Sequence, residues 1–315
     1  MTTAVRHEIR NLEDAHTEDV LRLWNAGADG RSLFVTAETP APAGALAACC
    51  GRLEGAAVRG AFVAGRLAAA AGWGRAPASS SPMEFGNLLP GDLVISWLVL
   101  ADEAAADALL GSSGALRARR VYAFPEFGGM AQLTPFGTGM LPLDRRRIVA
   151  FLEGRGFAVP RGPDWGAQER FLFRLAIPPP GEPPPIPPGF LLLQDGEGLS
   201  VTLRLTAADG SVVGEARMVP ARLLGREVPG AAFLAWLGVE AACRGTGLGS
   251  ALLLAQVDRA RRAGATEMYL TTHAERPAWK LYRRMGFEEV GRARSYVREL
   301  AAAMQGLCRI GGTGS

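Results

Sequence analysis

Between an apolar stretch and a run of leucines, Arg244-Gly245-Thr246-Gly247-Leu248-Gly249 places three glycines on alternate positions. A turn of this kind between a strand and a helix gathers backbone N–H groups and the positive helix end at one point, which suits phosphate. Three ligand chemistries compete for it. A nucleoside-triphosphate loop needs Gly-x-x-x-x-Gly-Lys-Ser/Thr, and the chain has one lysine, Lys280, far from the turn. A dinucleotide fold needs Gly-x-Gly-x-x-Gly, but Ser250 stands where the third glycine belongs. Glu267, at roughly the spacing of a ribose-binding acid, lies before the next strand's apolar core rather than at its end. Both readings fail on detail.

The elements around the turn follow from pattern. "SVTLRLTAADGSVVGEARMVP" reads as two alternating strands hinged at Asp209-Gly210. "AAFLAWLGVE", Ala231 to Glu240, is a buried strand feeding the turn. A helix follows with Leu253, Leu254, Val257 and Ala260 on one face and Gly264 to end it. A strand from Thr266 to Thr272 comes next. A short helix from Pro277 to Met285 then carries Ala278, Leu281, Tyr282 and Met285 on its inner face, closed by Gly286. "RARSYVREL" is a last strand.

Upstream, "IPPPGEPPPIPPG" carries eight prolines in thirteen residues, a stiff polyproline spacer that divides the chain. The segment before it repeats the order of the segment after it. "VISWLVL" echoes "FLAWLGV", "DALL" echoes "SALL", and "FLEGRGF" echoes "LYRRMGF", which reads as a diverged duplication.

The glycine turn has the form Arg-x-x-Gly-x-Gly after a strand, and it resembles the coenzyme A pyrophosphate loop of the GNAT superfamily of N-acetyltransferases. The family's second segment is matched too, as Ala-x-x-Leu-Tyr-x-x-x-Gly-Phe, by Ala278, Leu281, Tyr282, Gly286 and Phe287. The resemblance covers roughly Gly189 to Leu300 and reaches the first half only through the echoes. It implies an α/β (α+β) protein of two GNAT-like domains, each a mixed, mostly antiparallel twisted sheet flanked by helices. The expected division is a degenerate domain over 1–177, a linker over 178–188, a catalytic domain over 189–300 and a loosely ordered tail over 301–315.

The resemblance also implies a chemistry, acetyl transfer from acetyl-CoA to an amine, with no metal. Amides around Arg244, Gly245, Thr246, Gly247, Gly249 and Ser250 would take the pyrophosphate, where any Cβ would stand between amide and oxygen. The strand through Leu237 and Val239 would pair with the pantetheine arm, with an N–H near Val239 facing the thioester oxygen. Tyr282 would be the general acid for the leaving thiolate, its phenol protonated at neutral pH with an ordinary pKa of about 10. The base is a departure: relatives often carry a carboxylate near the position of Phe233, and this strand has none before Glu240. His273, at the end of the neighbouring strand, titrates in the useful range. It is the first candidate; Glu275 is the second, and a water-relayed or baseless route is the third.

Another departure concerns the acceptor. "GFLLLQ" and "LSVTLRL" follow each other too closely for the helices that wall the amine site in relatives, and "DAHTEDVLRLWNAG" in the first half reads as the helix the second half lacks. The expected partner is a small-molecule or peptide amine, with a homodimer left open. A coenzyme A-binding module without turnover stays open as well.

Composition excludes other classes. Net charge is +3 with no basic run interleaved with aromatics, so no nucleic acid partner is expected. No uninterrupted apolar stretch approaches the ~18 residues of a membrane span, and the N-terminus lacks a secretory apolar core. Cys49, Cys50, Cys243 and Cys308 show no metal-binding spacing, and a reducing cytoplasm is the expected location.

Overall fold

The computed structural model describes residues 7–26, 44–51, 53–78, 88–115, 118–125, 139–160, 169–179, 185–223 and 226–299. The tail over 301–315 and the middle of the proline run lie outside them.

Two sheets organise the chain. The first has the order β1 (Glu8–Asn11), β2 (Glu54–Val63), β3 (Arg66–Arg75), β4 (Leu93–Leu100), β5 (Arg120–Ala123) and β14 (Tyr296–Glu299). The second has the order β6 (Leu141–Pro142), β13 (Glu288–Arg294), β7 (Glu169–Ala176), β12 (Glu267–His273), β11 (Arg226–Val239), β10 (Val212–Leu223), β9 (Ser200–Ala207) and β8 (Phe190–Glu197). Neighbours are antiparallel except β4 with β5 and β11 with β12, which are parallel. Each parallel pair is joined through a helix, α3 (Glu103–Ser112) in the first half and α5 (Leu248–Arg262) in the second. Helices α1 (Thr17–Ala26), α2 (Ala45–Ala48) and α4 (Arg146–Gly154) complete the first half, and α6 (Ala278–Arg284) the second. The mixed, mostly antiparallel sheets and their helices are those expected.

The sheets do not divide where the prolines divide the chain. Strand β7, before the proline run, lies inside the second sheet between β12 and β13. Strand β14, at the far end of the described chain, pairs with β5 in the first. A cut at 177 or 189 therefore passes through both sheets. The reason is burial on two faces: Phe171 and Phe173 of β7 join the core under α5 and α6, while Leu172 packs on the opposite face with Met140 and Tyr269. "RARSYVREL" is correspondingly two strands. The chain leaves the second sheet at Ser295, whose buried hydroxyl donates to the Phe124 carbonyl at 2.8 Å, and Tyr296 enters the first core fully buried.

The duplication extends to a local irregularity. In β4, Trp97 opposes Gly72 and Ile95 opposes Trp73, which leaves Ser96 as a bulge. In β11, Trp236 opposes Arg217 and Leu234 opposes Met218, which leaves Ala235 as a bulge at the same place in the motif. The helix after β11 differs in one detail from expectation. Leu253, Val257 and Ala260 are buried, but Leu254 is 41% exposed. One step around a helix is 100°, and the buried stripe centres on Leu252, Leu253 and Gln256, so Leu254 falls outside it. Helix α1 packs on β3 and β4 and buries Val20, Leu21, Leu23 and Trp24 in the first core, so it serves its own sheet. Strands β8 and β9 are joined by a tight turn, with no helix between them.

Candidate active site

Strands β11 and β12 pair only over Ala231–Phe233 with Glu267–Tyr269, then diverge. Beyond that pairing, β11 runs on to Val239 with β10 on one side and no described ladder partner on the other. The bulge at Ala235 marks the point where the strands part. Buried backbone groups must find partners, so a strand edge left open beside a cavity is a surface on which an extended ligand can complete the ladder.

At the wide end of this gap stands the glycine turn. Gly245 and Gly247 have φ of +82° and +90°, a left-handed conformation that costs a residue with a Cβ roughly 1–2 kcal/mol. The Thr246 hydroxyl donates to the Cys243 carbonyl at 2.7 Å and fastens the turn. Arg244 is laid across the strand exit by its Nε, which donates to the Val239 carbonyl at 3.1 Å. Gly247 is the cap of α5 and has no side chain to offer. The first bond into the helix runs from the Ala251 N–H to the Gly247 carbonyl at 3.0 Å, so the N–H groups of Leu248, Gly249 and Ser250 point to the loop mouth. A cradle of free amides at a positive helix end fits a pyrophosphate.

A cavity of about 620 Å³ fills the gap. One wall is Trp236 to Val239, the loop end is Cys243 to Gly245 with Gly249, and the other wall is Arg276 to Ala278 with Leu281 and Tyr282. Of the residues expected to bind the cofactor, Leu237, Val239, Arg244, Gly245 and Gly249 thus line one space; Thr246, Gly247 and Ser250 shape its mouth. Ala278 is exposed to the cavity rather than buried in the core.

Tyr282 is brought to this cavity by α6. Its ring packs against Phe287 at 5.9 Å and Phe173 at 6.1 Å, and burial pushes its phenol up to about 12. It therefore holds its proton throughout the neutral range.

His273 and Glu275 are not among the cavity's lining residues. Arg170 Nη1 donates to Thr271 Oγ1 at 3.0 Å, and Arg170 Nη2 lies 3.1 Å from His273 Nε2. A guanidinium only donates, so Nε2 is the acceptor and its lone pair is engaged. Burial first, then the charges of Arg170 and Arg276, hold the imidazole down to about 4. Glu275 is exposed in the turn before α6. The spacing of β12 gives no sign of Arg170, which reaches His273 from a strand 103 residues away in sequence. The bulge at Ala235 and the exposed Trp236 are the site features the sequence reading passed over. The only signal was the shared tryptophan of "VISWLVL" and "FLAWLGV".

The first half closes the matching place. All eight residues of β4 are buried. Asp102 caps α3 by accepting from the Ala105 N–H at 2.7 Å. Arg155, just after α4, pairs with Asp107 at 2.6 Å and with Glu103 at 3.0 Å, tying the two helices together across the mouth. Leu152 stands where the second half has Tyr282 and is fully buried.

Among the described residues, no cluster of three or more His, Cys, Asp or Glu could hold a metal. No described helix is long and apolar enough to cross a membrane.

Comparison with known proteins adds the family. Residues 170–287 match the profile of the acetyltransferase (GNAT) family, and that match includes β7. No curated protein matches the sequence significantly. Among solved structures, a tandem GNAT protein from the clavulanic acid biosynthesis pathway aligns with 93% of this chain and 98% of its own, at a TM-score of 0.60 and 14% identity. A GCN5-related N-acetyltransferase from Sphaerobacter thermophilus aligns with 93% of this chain and 95% of its own, at 0.59 and 14%. Identities this low carry the fold alone. The glycine turn and the Tyr282 segment lie inside the matched region; the chain has the fold of tandem GNAT proteins, and residues 170–287 carry the family's sequence signature.

Proposed function

We propose that the chain is an acetyl-CoA-dependent N-acetyltransferase with its one coenzyme site in the gap between β11 and β12. The observation that carries this is the meeting, in one cavity, of an open strand edge, an amide cradle and a buried protonated phenol. Bound there, acetyl-CoA would supply the acetyl group as an activated thioester. The amides of Leu248 to Ser250 and the Arg244 guanidinium would hold its phosphates. The open edge of β11, through Leu237 and Val239, would hold the pantetheine arm. The Tyr282 phenol would hold a proton at the place where a thiolate must receive one. The acceptor is a small-molecule or peptide amine, and the setting is a reducing cytoplasm.

A second reading keeps the same pocket without turnover, as a coenzyme A-binding module. It is favoured by the lack of a carboxylate on β11 from Ala231 to Val239, the stretch that borders the gap, and by the engagement of the His273 lone pair. Thiol release from acetyl-CoA across an amine panel separates the two. Amine-dependent release supports the transferase; binding with no release under any amine supports the module.

A further inference from the structure

The acceptor side of the gap is the sheet face opposite α5. In the first half the tryptophan after the bulge, Trp97, is 1% exposed. A Cβ at Gly72 would come within 2.3 Å of its Nε1 and 2.7 Å of Cys50 Sγ, so the region is tightly packed. Its counterpart Trp236 is 57% exposed, since β8 passes to β9 without a helix to cover it. The indole lies flat on its own strand: a Cβ at Gly238 would meet its Nε1 at 3.0 Å and its Cε2 and Cζ2 at 3.2 Å. One ring face therefore rests on bare glycine backbone, and the other is open beside the cavity.

The charges around that open face are one-sided. Arg217 is exposed and directly opposite Trp236 on β10, so both side chains share the face. In the next row Glu215 is paired with Arg204 at 2.9 Å, and Asp195 lies on edge strand β8, beyond Thr202 in the row of Arg217. Across the gap stand Arg170, the neutral His273 and Arg276, while Glu267 is engaged by Arg174 and Tyr269. An ammonium placed here would meet the guanidinium groups of Arg217, Arg170 and Arg276, while Asp195 stands three strands from Trp236 and Glu275, exposed in the turn before α6, is not among the cavity's lining residues. A positive surround disfavours the protonated amine. An arylamine is neutral at pH 7 because its lone pair is shared with the ring, whereas an alkylamine resembles lysine, with a pKa of about 10.4.

We propose that Trp236 and Arg217 form the acceptor platform, and that the acceptor is an aromatic amine bearing an anionic group. The ring stacks on the free indole face and the anion pairs with Arg217. This rests on the transferase reading above and explains how that site works without a carboxylate base. The amine nitrogen donates its lone pair to the thioester carbon, a C–N bond forms and the C–S bond breaks. The departing sulfur takes the Tyr282 proton, and the phenolate takes the surplus proton from nitrogen, so the site returns to its starting state.

The test uses the full chain with acetyl-CoA and two probes of one shape, 4-aminobenzoate and 4-(aminomethyl)benzoate, following thiol release from pH 6 to 9. Coenzyme A affinity is measured separately by calorimetry. The expected result is a kcat/KM at least about tenfold higher for 4-aminobenzoate, with little dependence on pH. Arg217→Ala should raise KM for 4-aminobenzoate about tenfold, the loss of one charged hydrogen bond, and leave aniline within about twofold. Trp236→Ala should raise KM for both aromatic probes, and Trp236→Phe should restore it. Coenzyme binding with a preference for 4-(aminomethyl)benzoate, or with neither probe acetylated, overturns the acceptor assignment and leaves the coenzyme site standing. Absence of coenzyme binding overturns both.

Discussion

Replacing Tyr282 by phenylalanine separates the acid from the ring that carries it. The ring is 7% exposed, between Phe173 and Phe287, and phenylalanine keeps those contacts. Burial is the sole cause raising the phenol, so no hydrogen bond within the protein is lost with the oxygen. Stability should change by less than about 1 kcal/mol. Affinity for coenzyme A, held by backbone amides and the β11 edge, should stay within about twofold. Turnover should fall by roughly 10²-fold or more, the usual contribution of a positioned acid and about 2.7 kcal/mol of barrier. Because the phenol titrates only at about 12, the wild-type rate should show no alkaline fall from this group below about pH 11. Thiol release in stopped-flow and calorimetric titration give the two numbers. Equal losses of rate and affinity would mark Tyr282 as packing; an unchanged rate would remove it from the chemistry.

Other outcomes follow from the same geometry. Gly247→Leu should cost about 1–2 kcal/mol of stability through its left-handed backbone and abolish coenzyme A binding, since its side chain enters open loop space; denaturant melts and calorimetry check both. Tyr296→Ala should destabilise by about 3–5 kcal/mol, because a strand from the far end of the chain fills the first core, and the denaturant midpoint reads it. His273 is held neutral in the fold at about 4, below its unfolded value of about 6.5, so it binds a proton more readily unfolded. Its contribution is present above about pH 6.5 and lost as pH falls through 4; His273→Gln should flatten the decline of Tm over that window.

The local parts of the site were readable because each is specified by neighbours in sequence. Gly245 and Gly247 announce a left-handed turn by residue type, and Tyr282 is fixed by its spacing to Leu281, Gly286 and Phe287. What escaped is set by partners distant in the chain. Nothing in "RARSYVREL" marks Ser295 as the crossing point, since its apolar alternation suits either sheet. His273 looked like a base until Arg170 was placed beside it. The bulge at Ala235 depends on a register with Met218 and Arg217 that no stretch of β11 encodes alone. Trp236 reads as core like Trp97, and only the missing helical cover exposes it.

The claim of one coenzyme site, in the second half, is tested most directly by calorimetric titration of the intact chain with coenzyme A. Isolated halves would be poor material, because β7 and β14 each complete the other half's sheet. The ion pairs of Arg155 with Glu103 and Asp107, and the Asp102 cap, occupy in the first half the place where amides stand free in the second. The expected result is saturable binding with a stoichiometry of one per chain, lost in Gly247→Leu. A stoichiometry near two, or binding that survives that substitution, would contradict it.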